Sequence, residues 1–89
     1  MSRTITLVTR RDCGMCDDVA AALERLRRAL RFELRLVDVD ADAALRREYN
    51  DVVPVVLCDG QVLAHAPVDA PELEDALRAA LRSRRDDDA

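Results

Sequence analysis

Cys13 and Cys16 are the residues of this chain whose type and spacing best suit covalent chemistry. They lie three positions apart in Cys13-Gly14-Met15-Cys16, between an alternating apolar run and a long helical pattern. Residues at i and i+3 share one helix face, and a first helical turn places two Cα atoms within the roughly 4.4–6.8 Å that a disulfide needs. The free N–H groups and partial positive charge of a helix N-terminus also favour a thiolate. The spacing therefore predicts reversible dithiol–disulfide chemistry.

The helical pattern after the motif distinguishes the two cysteines. Its apolar residues recur at intervals of three and four, which describes one buried stripe: Cys16, Val19, Leu23, Leu26 and Leu30. Cys16 belongs to this stripe, whereas Cys13 precedes it. We therefore expect Cys13 to be accessible and Cys16 to be buried.

Hydrophobic periodicity predicts the elements that hold the motif in place. The predicted strands are Arg3–Thr9, Leu34–Val39, Val52–Leu57 and Gln61–Ala66. A first helix includes the stripe from Cys16, and a short second helix runs from Leu45 to Tyr49 with Asp40 or Asp42 as its cap. A last helix, signalled by Asp69 and Pro71, has apolar residues up to Leu81.

The resulting order, β-α-β-α-β-β-α, predicts an α/β protein with a four-stranded mixed sheet covered by three helices. The first β-α-β unit implies a parallel crossover, and the Asp59-Gly60 turn implies an antiparallel hairpin. Periodicity leaves the order of the strands open. The 89 residues suit one domain, assigned to residues 1–82, and the charged segment 83–89 is expected to be disordered.

Composition narrows the function classes and the compartment. A net charge of −4, with arginines interleaved among acidic residues, argues against a nucleic-acid partner. No apolar run resembles a signal peptide or a membrane span, so no membrane partner is expected. Three cysteines, an odd number, fit a reducing cytoplasm better than a secreted disulfide framework. We expect a cytoplasmic monomer.

A single CxxC pair also occurs in metal sites, which the rest of the sequence disfavours. Structural zinc sites use four ligands, and beyond the pair the chain offers Cys58 and His65 at unsuitable spacing. Copper chaperones place a CxxC loop after a first strand, and Met15 is a soft neighbour, but their first helix leads into a hairpin. Here a strand and another helix follow. We interpret Cys58 as a small buried hydrophobe and His65 as a surface or packing residue.

Val53-Pro54 opens a predicted strand about forty residues after the CxxC. With this proline, the chain resembles the glutaredoxin family of the thioredoxin fold from Thr4 to about Leu81. The matching segments are Cys13–Cys16, Leu36–Asp40, Val52–Val56 and Asp59–Gly60. The resemblance implies a thioredoxin-like, glutaredoxin-type three-layer sandwich, in which Pro54 follows a cis peptide bond and lies against the CxxC. It also implies that the N–H and C=O of Val53 pair with the substrate.

The chain departs from dithiol glutaredoxins at their glutathione-binding positions. Met15 stands where those proteins have the tyrosine that lines the glutathione groove. Ala64-His65-Ala66-Pro67 replaces a Gly-Gly turn, and Arg10 or Arg11 stands in for a lysine that meets the glycyl carboxylate. We therefore expect glutathione to be a possible co-substrate on which activity depends only weakly.

These features together predict a thiol–disulfide oxidoreductase. Cys13 attacks a protein or low-molecular-weight disulfide as thiolate, and Cys16 resolves the mixed disulfide. The expected substrate contacts are Val53, Pro54, Arg10, Arg11 and Met15. No metal or organic cofactor is expected, and the reductant is unidentified. Two alternatives stay open: a glutaredoxin-like module that mainly binds a partner, and a metal or iron–sulfur carrier that uses the CxxC.

Overall fold

A four-stranded sheet forms the centre of the molecule. The computed structural model describes residues 3–88, and side chains are described for residues 3–82. The strands are β1 (Arg3–Thr9), β2 (Phe32–Asp38), β3 (Val55–Cys58) and β4 (Gln61–His65). They lie in the order β2-β1-β3-β4, with β1 and β2 parallel and both other pairs antiparallel. The predicted mixed sheet is confirmed, and its strand order is now defined.

Helices cover both faces of the sheet. They are α1 (Gly14–Leu30), α2 (Ala43–Tyr49) and α3 (Ala70–Asp88), with a short 3₁₀ turn at Val39–Ala41. Ile5 and Leu7 of β1 are buried against α1 and α3, whereas Val8 belongs to a second buried cluster, beside α2. Alternate side chains of a strand point to opposite faces, so β1 separates two helical layers. The predicted three-layer α/β architecture is confirmed. None of the helices in the described residues is long and apolar enough to cross a membrane.

Capping and turn residues act where the sequence pattern predicted them. Asp42, and not Asp40, caps α2: its Oδ1 accepts from the N–H groups of Ala44 and Leu45, at 2.8 and 3.1 Å. Asp69 accepts from the Glu72 N–H at 3.2 Å at the start of α3. Asp59 and Gly60 both have positive φ, 49° and 91°, as a two-residue hairpin turn requires. The turn therefore sets the register of β3 and β4 next to it, and an irregularity between Val56 and Leu57 shifts the register by one residue farther along.

β3 begins three residues later than the sequence pattern predicted, at Val55. Pro54 has no N–H to donate to a ladder, so the strand starts after it. The Val52 N–H donates instead to the Tyr49 carbonyl oxygen, and the Val52 carbonyl oxygen accepts from the Ala66 N–H, both at 3.0 Å. The residues before β3 thus form a separate segment that is tied to the end of β4.

α3 extends beyond the apolar pattern that predicted it. The pattern ends at Leu81, but the helix runs to Asp88. The disordered tail expected over residues 83–89 stays a prediction. Neither glycine nor proline occurs after Pro71, and arginine has good helix propensity, so nothing local stops the helix where its buried stripe ends. The division of the chain at residue 82 stays a prediction, and Ala89 lies outside the described residues.

Candidate active site

Cys13 and Cys16 form a disulfide at the N-terminus of α1. Their Cα atoms are 5.2 Å apart, within the range of natural disulfides. Cys13 is the N-cap of the helix and has an extended backbone, with φ −113° and ψ 106°. Its Sγ accepts a hydrogen bond from the Cys16 N–H at 3.1 Å. The first turn of α1 therefore brings the two cysteines to bridging distance, and it directs one N–H group at the Cys13 sulfur.

The two sulfurs lie in different environments. Cys16 is 0% exposed, whereas Cys13 is partly exposed. The difference follows from the helix, because Cys16 lies on the buried stripe of α1 with Val19 and Leu23. The predicted difference in accessibility is confirmed. A substrate can reach Cys13, but it cannot reach Cys16 without a change in structure.

Three exposed aspartates lie close to Cys13 in the sequence. Asp12 precedes Cys13 with a left-handed backbone, φ 58°, and Asp17 and Asp18 follow in the first turns of α1. Carboxylates at a helix N-terminus complement its partial positive charge. They also place negative charge beside anything bound to Cys13. Arg11 is exposed next to them and forms no ion pair with the side chains described.

Val53 and Pro54 lie at the same end of the sheet as the motif. Val55, the first residue of β3, pairs with Val8 in the antiparallel ladder. The residues before Val55 therefore lie towards the C-terminal end of β1, which leads into the CxxC. The Val53–Pro54 peptide bond is cis, as the resemblance implied, and Pro54 is buried. The contact of Pro54 with the CxxC stays a prediction. Within residues 3–88, neither the N–H nor the C=O of Val53 makes a hydrogen bond. Val53 thus presents one donor and one acceptor at this end of the sheet.

Arg10 ties the loop before the motif to the α2 side of the molecule. Its Nε and Nη2 donate to the two carboxylate oxygens of Asp40 at 3.0 and 3.2 Å, a bidentate pair. Nη2 also donates to Asn50 Oδ1, and Nη1 donates to the Asn50 carbonyl oxygen at 3.3 Å. The hydrogen bond with Arg10 holds the pKa of Asp40 below its ordinary value, and the same bond raises the pKa of Arg10.

This network changes the role expected for Arg10. A guanidinium has five N–H donors, and Asp40 and Asn50 take four of them. Arg10 therefore holds the loop in position. Its guanidinium keeps one N–H donor for the predicted contact with a substrate carboxylate. That contact stays a prediction, and exposed Arg11 has the donors for it.

A groove of about 370 Å³ opens beside Met15, between α1 and the start of α3. Met15, the second residue between the cysteines, is 41% exposed. The other lining residues are Asp18, Val19, Ala22, Val68, Ala70 and Leu73. The groove is therefore apolar apart from one carboxylate. Its volume suits a side chain or a small ligand.

Residues 4–78 match the family model described as a glutaredoxin-like domain (DUF836). The chain belongs to this glutaredoxin-like family. The uncharacterised protein Rv0508 of Mycobacterium tuberculosis is 39% identical over 79 residues, which cover 82% of this chain and 81% of that protein. The uncharacterised protein Mb0520 of Mycobacterium bovis matches to the same extent. The resemblance inferred from the CxxC and the Val-Pro pair is confirmed.

Solved structures share the fold of this glutaredoxin-like domain. Protein Ne2328 from Nitrosomonas europaea aligns with a TM-score of 0.75 and 29% identity, over 90% of this chain and 92% of that one. Protein XcR50 from X. campestris gives 0.70 and 37%, over 84% and 96%. Thioredoxin 1 from Thermosipho africanus gives 0.70 at 13% identity, over 92% and 98%, which shows the fold alone. Family, fold and CxxC pair together support a thiol redox role.

Cys58 and His65 lie at opposite ends of the sheet of the glutaredoxin-like domain, and His65 is at the end nearer the redox pair. Cys58 is buried in the core between the sheet and the α1/α3 layer, and it pairs with Ile5 near the start of β1. His65 is exposed at the end of β4, with its Nδ1 2.9 Å from the Ala66 carbonyl oxygen. Both positions agree with the packing and surface roles predicted. Across the described part of the chain, no three His, Cys, Asp or Glu side chains are grouped to hold a metal ion.

Sequence reasoning missed two features of the glutaredoxin-like site. Asp40 and Asn50 hold Arg10 from thirty and forty positions away, and no spacing in the sequence connects them. A second cis peptide bond, Ala66–Pro67, lies where dithiol glutaredoxins have their Gly-Gly turn. Its only local signal is the X-Pro pair itself.

Proposed function

We propose that this glutaredoxin-like domain is a thiol–disulfide oxidoreductase that reduces protein or low-molecular-weight disulfides. The observation that carries the proposal is the asymmetric pair: two cysteines in one helical turn, joined by a disulfide, with Cys13 partly exposed and Cys16 buried. A bridge across so short a loop stabilises a fold less than a long-range bridge does. A redox role therefore accounts for the pair better than a structural role.

Cys13 performs the first exchange. Its thiolate attacks one sulfur of the substrate disulfide, a Cys13–substrate S–S bond forms, and the other substrate sulfur leaves as a thiolate that takes up a proton. The Cys16 N–H directed at Cys13 Sγ and the positive end of α1 both favour the thiolate over the thiol.

Cys16 performs the second exchange. Its sulfur attacks Cys13 Sγ, the mixed disulfide breaks, and the second substrate thiol is released as the Cys13–Cys16 bridge forms. Burial keeps Cys16 from competing for substrate, and the Cα atoms already lie at bridging distance, 5.2 Å. A thiol reductant restores the dithiol and is itself oxidised by two electrons to a disulfide. The reducing cytoplasm suits this cycle.

We propose that three groups at the CxxC end of the molecule hold the substrate. The N–H and C=O of Val53, with Pro54 buried behind them, suit the main chain of an extended peptide. The groove beside Met15 suits an apolar side chain of the same peptide. Arg11 suits a carboxylate. None of these groups is specific for glutathione, so we propose glutathione as a weak co-substrate.

The proposal is tested by dithiothreitol-driven reduction of a protein disulfide. We expect turnover by the wild type and none above the dithiothreitol background by Cys13→Ser. Pre-reduced Cys16→Ser, mixed with the substrate after dithiothreitol has been removed, should give a trapped mixed disulfide that is visible by mass spectrometry. Cys58→Ala is the matched control, because it removes a thiol at the other end of the sheet and should retain turnover. An inactive wild type, or an active Cys13→Ser variant, would contradict the proposal.

Two outcomes of the same preparation identify the alternatives. Partner binding that survives Cys13→Ser, without any turnover, would indicate a binding module. A visible absorbance band after anaerobic loading with iron and sulfide would indicate a carrier.

A further inference from the structure

We propose that the end of the molecule opposite the CxxC binds a small, multiply charged phosphate compound. A cavity of about 430 Å³ lies there, where the start of β1, the end of α1 and the middle of α3 meet. Its lining residues are Arg3, Ala29, Leu30, Arg31, Arg78, Leu81 and Arg82. The volume lies within the range of small-molecule sites.

The cavity is separate from the redox site. β1 runs from Arg3 to Thr9, and seven residues at about 3.3 Å each place the two strand ends roughly 20 Å apart. Cys13 follows the far end, and Arg3 is at the near end. The redox chemistry proposed above therefore makes no use of the cavity, and the two proposals fail independently.

The cavity concentrates positive charge in a chain whose net charge is −4. Four of its seven lining residues are arginines. Arg78 is balanced by Glu74 at 2.9 Å, but Arg31 and Arg82 form no ion pair with any side chain the structure describes. Like charges gathered at one place repel one another, and a bound anion relieves that repulsion. The arrangement therefore favours an anionic ligand.

Arg3 gives an independent indication of a missing acceptor. Its Nη1 donates to Asp59 at 3.1 Å, but its Nη2 is buried and has no hydrogen-bond partner among the described residues. A buried charged donor without an acceptor lowers stability. Arg3 also lines the cavity. An oxyanion bound there would bring acceptor oxygens next to this guanidinium, and a small shift of the side chain would let Nη2 reach them.

The geometry favours phosphate over carboxylate. The guanidinium groups come from three elements, with Arg3 on β1, Arg31 after α1, and Arg78 and Arg82 on α3, so they approach the cavity from different directions. A carboxylate is planar and accepts along one edge, whereas phosphate oxygens accept from all sides. Leu30 and Leu81 supply an apolar floor on which the uncharged part of a ligand can rest.

Calorimetric titration with inorganic pyrophosphate tests the site, with citrate as the carboxylate probe and an adenine nucleotide as the larger phosphate probe. We expect saturable binding of pyrophosphate, weakened at least about tenfold by the double variant Arg31→Gln/Arg82→Gln, since hydrogen bonds to charged groups are the strong ones. Binding should fall as salt is raised. Tighter binding of the nucleotide than of pyrophosphate would show that the ligand extends over the apolar floor.

The matched control is Arg47→Gln, which removes an exposed arginine from α2, on the other face of the sheet. It should leave pyrophosphate affinity unchanged. Thermal unfolding supplies a second readout, because pyrophosphate should raise the melting temperature of the wild type and not that of the double variant. Absence of saturable binding, equal affinity for citrate, or equal weakening by Arg47→Gln would each overturn the proposal.

Discussion

Cys13 and Cys16 show how one helical turn gives two cysteines different chemistry. Cys16 lies on the buried stripe of α1. The backbone N–H of Cys16 donates to the sulfur of Cys13. A hydrogen bond and a helix N-terminus stabilise a thiolate, and burial in apolar surroundings stabilises a thiol. The two residues should therefore differ in acidity as well as in access.

Alkylation of the reduced protein checks this difference. In such motifs, reactive cysteines have pKa values of about 3.5–7.5, against about 8.5 for a free thiol. Iodoacetamide at about pH 6 should therefore modify Cys13 first. Peptide mass spectrometry after short reaction times identifies the labelled residue, with Cys58→Ala used to simplify the spectra. Equal labelling of Cys13 and Cys16 would remove the basis for naming Cys13 the nucleophile.

The ion pair of Arg10 and Asp40 makes stability depend on acid pH. The pKa of Asp40 is lower in the folded protein than its ordinary value of 3.8, so its carboxylate stabilises the fold above that value. This contribution is lost as the pH falls through 3.8 and towards the lower folded-state pKa. Asp40→Asn should therefore be less stable than the wild type at neutral pH and should lose less stability on acidification.

Urea unfolding at about pH 6 and about pH 3 measures that difference. Asp75→Asn is the control, because it removes an exposed carboxylate that forms no ion pair with the described side chains. If Asp40→Asn and Asp75→Asn keep the same pH dependence as the wild type, the pair does not hold the loop in solution.

At the scale of the elements, the two glycines of the chain allow a matched comparison. Gly60 has φ +91°, which side chains rarely adopt, whereas Gly14 begins α1 with no atom within 4 Å of an added Cβ. Gly60→Ala should lower the free energy of unfolding by about 1–2 kcal/mol. Gly14→Ala should be neutral or stabilise by up to about 1 kcal/mol, since it restricts the unfolded chain. Urea denaturation of the oxidised proteins measures both, and equal losses would contradict the hairpin geometry.

The elements that sequence predicted well are those with local causes. The stripe through Cys16 and Leu23 predicted α1, and Asp59-Gly60 predicted the hairpin, because each signal lies within the element that it specifies. The start of β3 at Val55 and the end of α3 at Asp88 differed from the pattern. β3 starts after Pro54 because proline has no N–H for the ladder, and α3 continues because no residue after Leu81 stops it. The apolar pattern marks neither limit.

The candidate site divides in the same way. Cysteine spacing and the apolar stripe were sufficient to place and distinguish Cys13 and Cys16. The role of Arg10 was not accessible, because it depends on how the 3₁₀ turn and the end of α2 approach the loop, which places Asp40 and Asn50 beside it. Tertiary contacts of this kind leave no periodic trace in a sequence.

The two ends of the sheet differ in the charged groups that lie closest to the CxxC and to the cavity. The CxxC end carries the exposed carboxylates of Asp12, Asp17 and Asp18, and the opposite end carries the cavity lined by Arg31 and Arg82. A charged surface beside a reactive thiol changes the encounter rate with charged substrates. The active end should therefore favour cationic substrates and disfavour anionic ones, which include glutathione.

The carboxylates near Cys13 lead to the last prediction, which is that the charge of the substrate changes its rate of reduction. A peptide disulfide flanked by arginines should be reduced several-fold faster than the same peptide flanked by glutamates, since exposed charge pairs contribute about 0.2–1 kcal/mol each and about 1.4 kcal/mol is tenfold. The preference should shrink at high salt, because screening weakens exposed charges. Asp17→Asn/Asp18→Asn should reduce it, while a neutral peptide reports any change in intrinsic reactivity. Faster turnover of a glutathione mixed disulfide than of the arginine peptide would contradict the prediction and indicate that Arg11 dominates the local field.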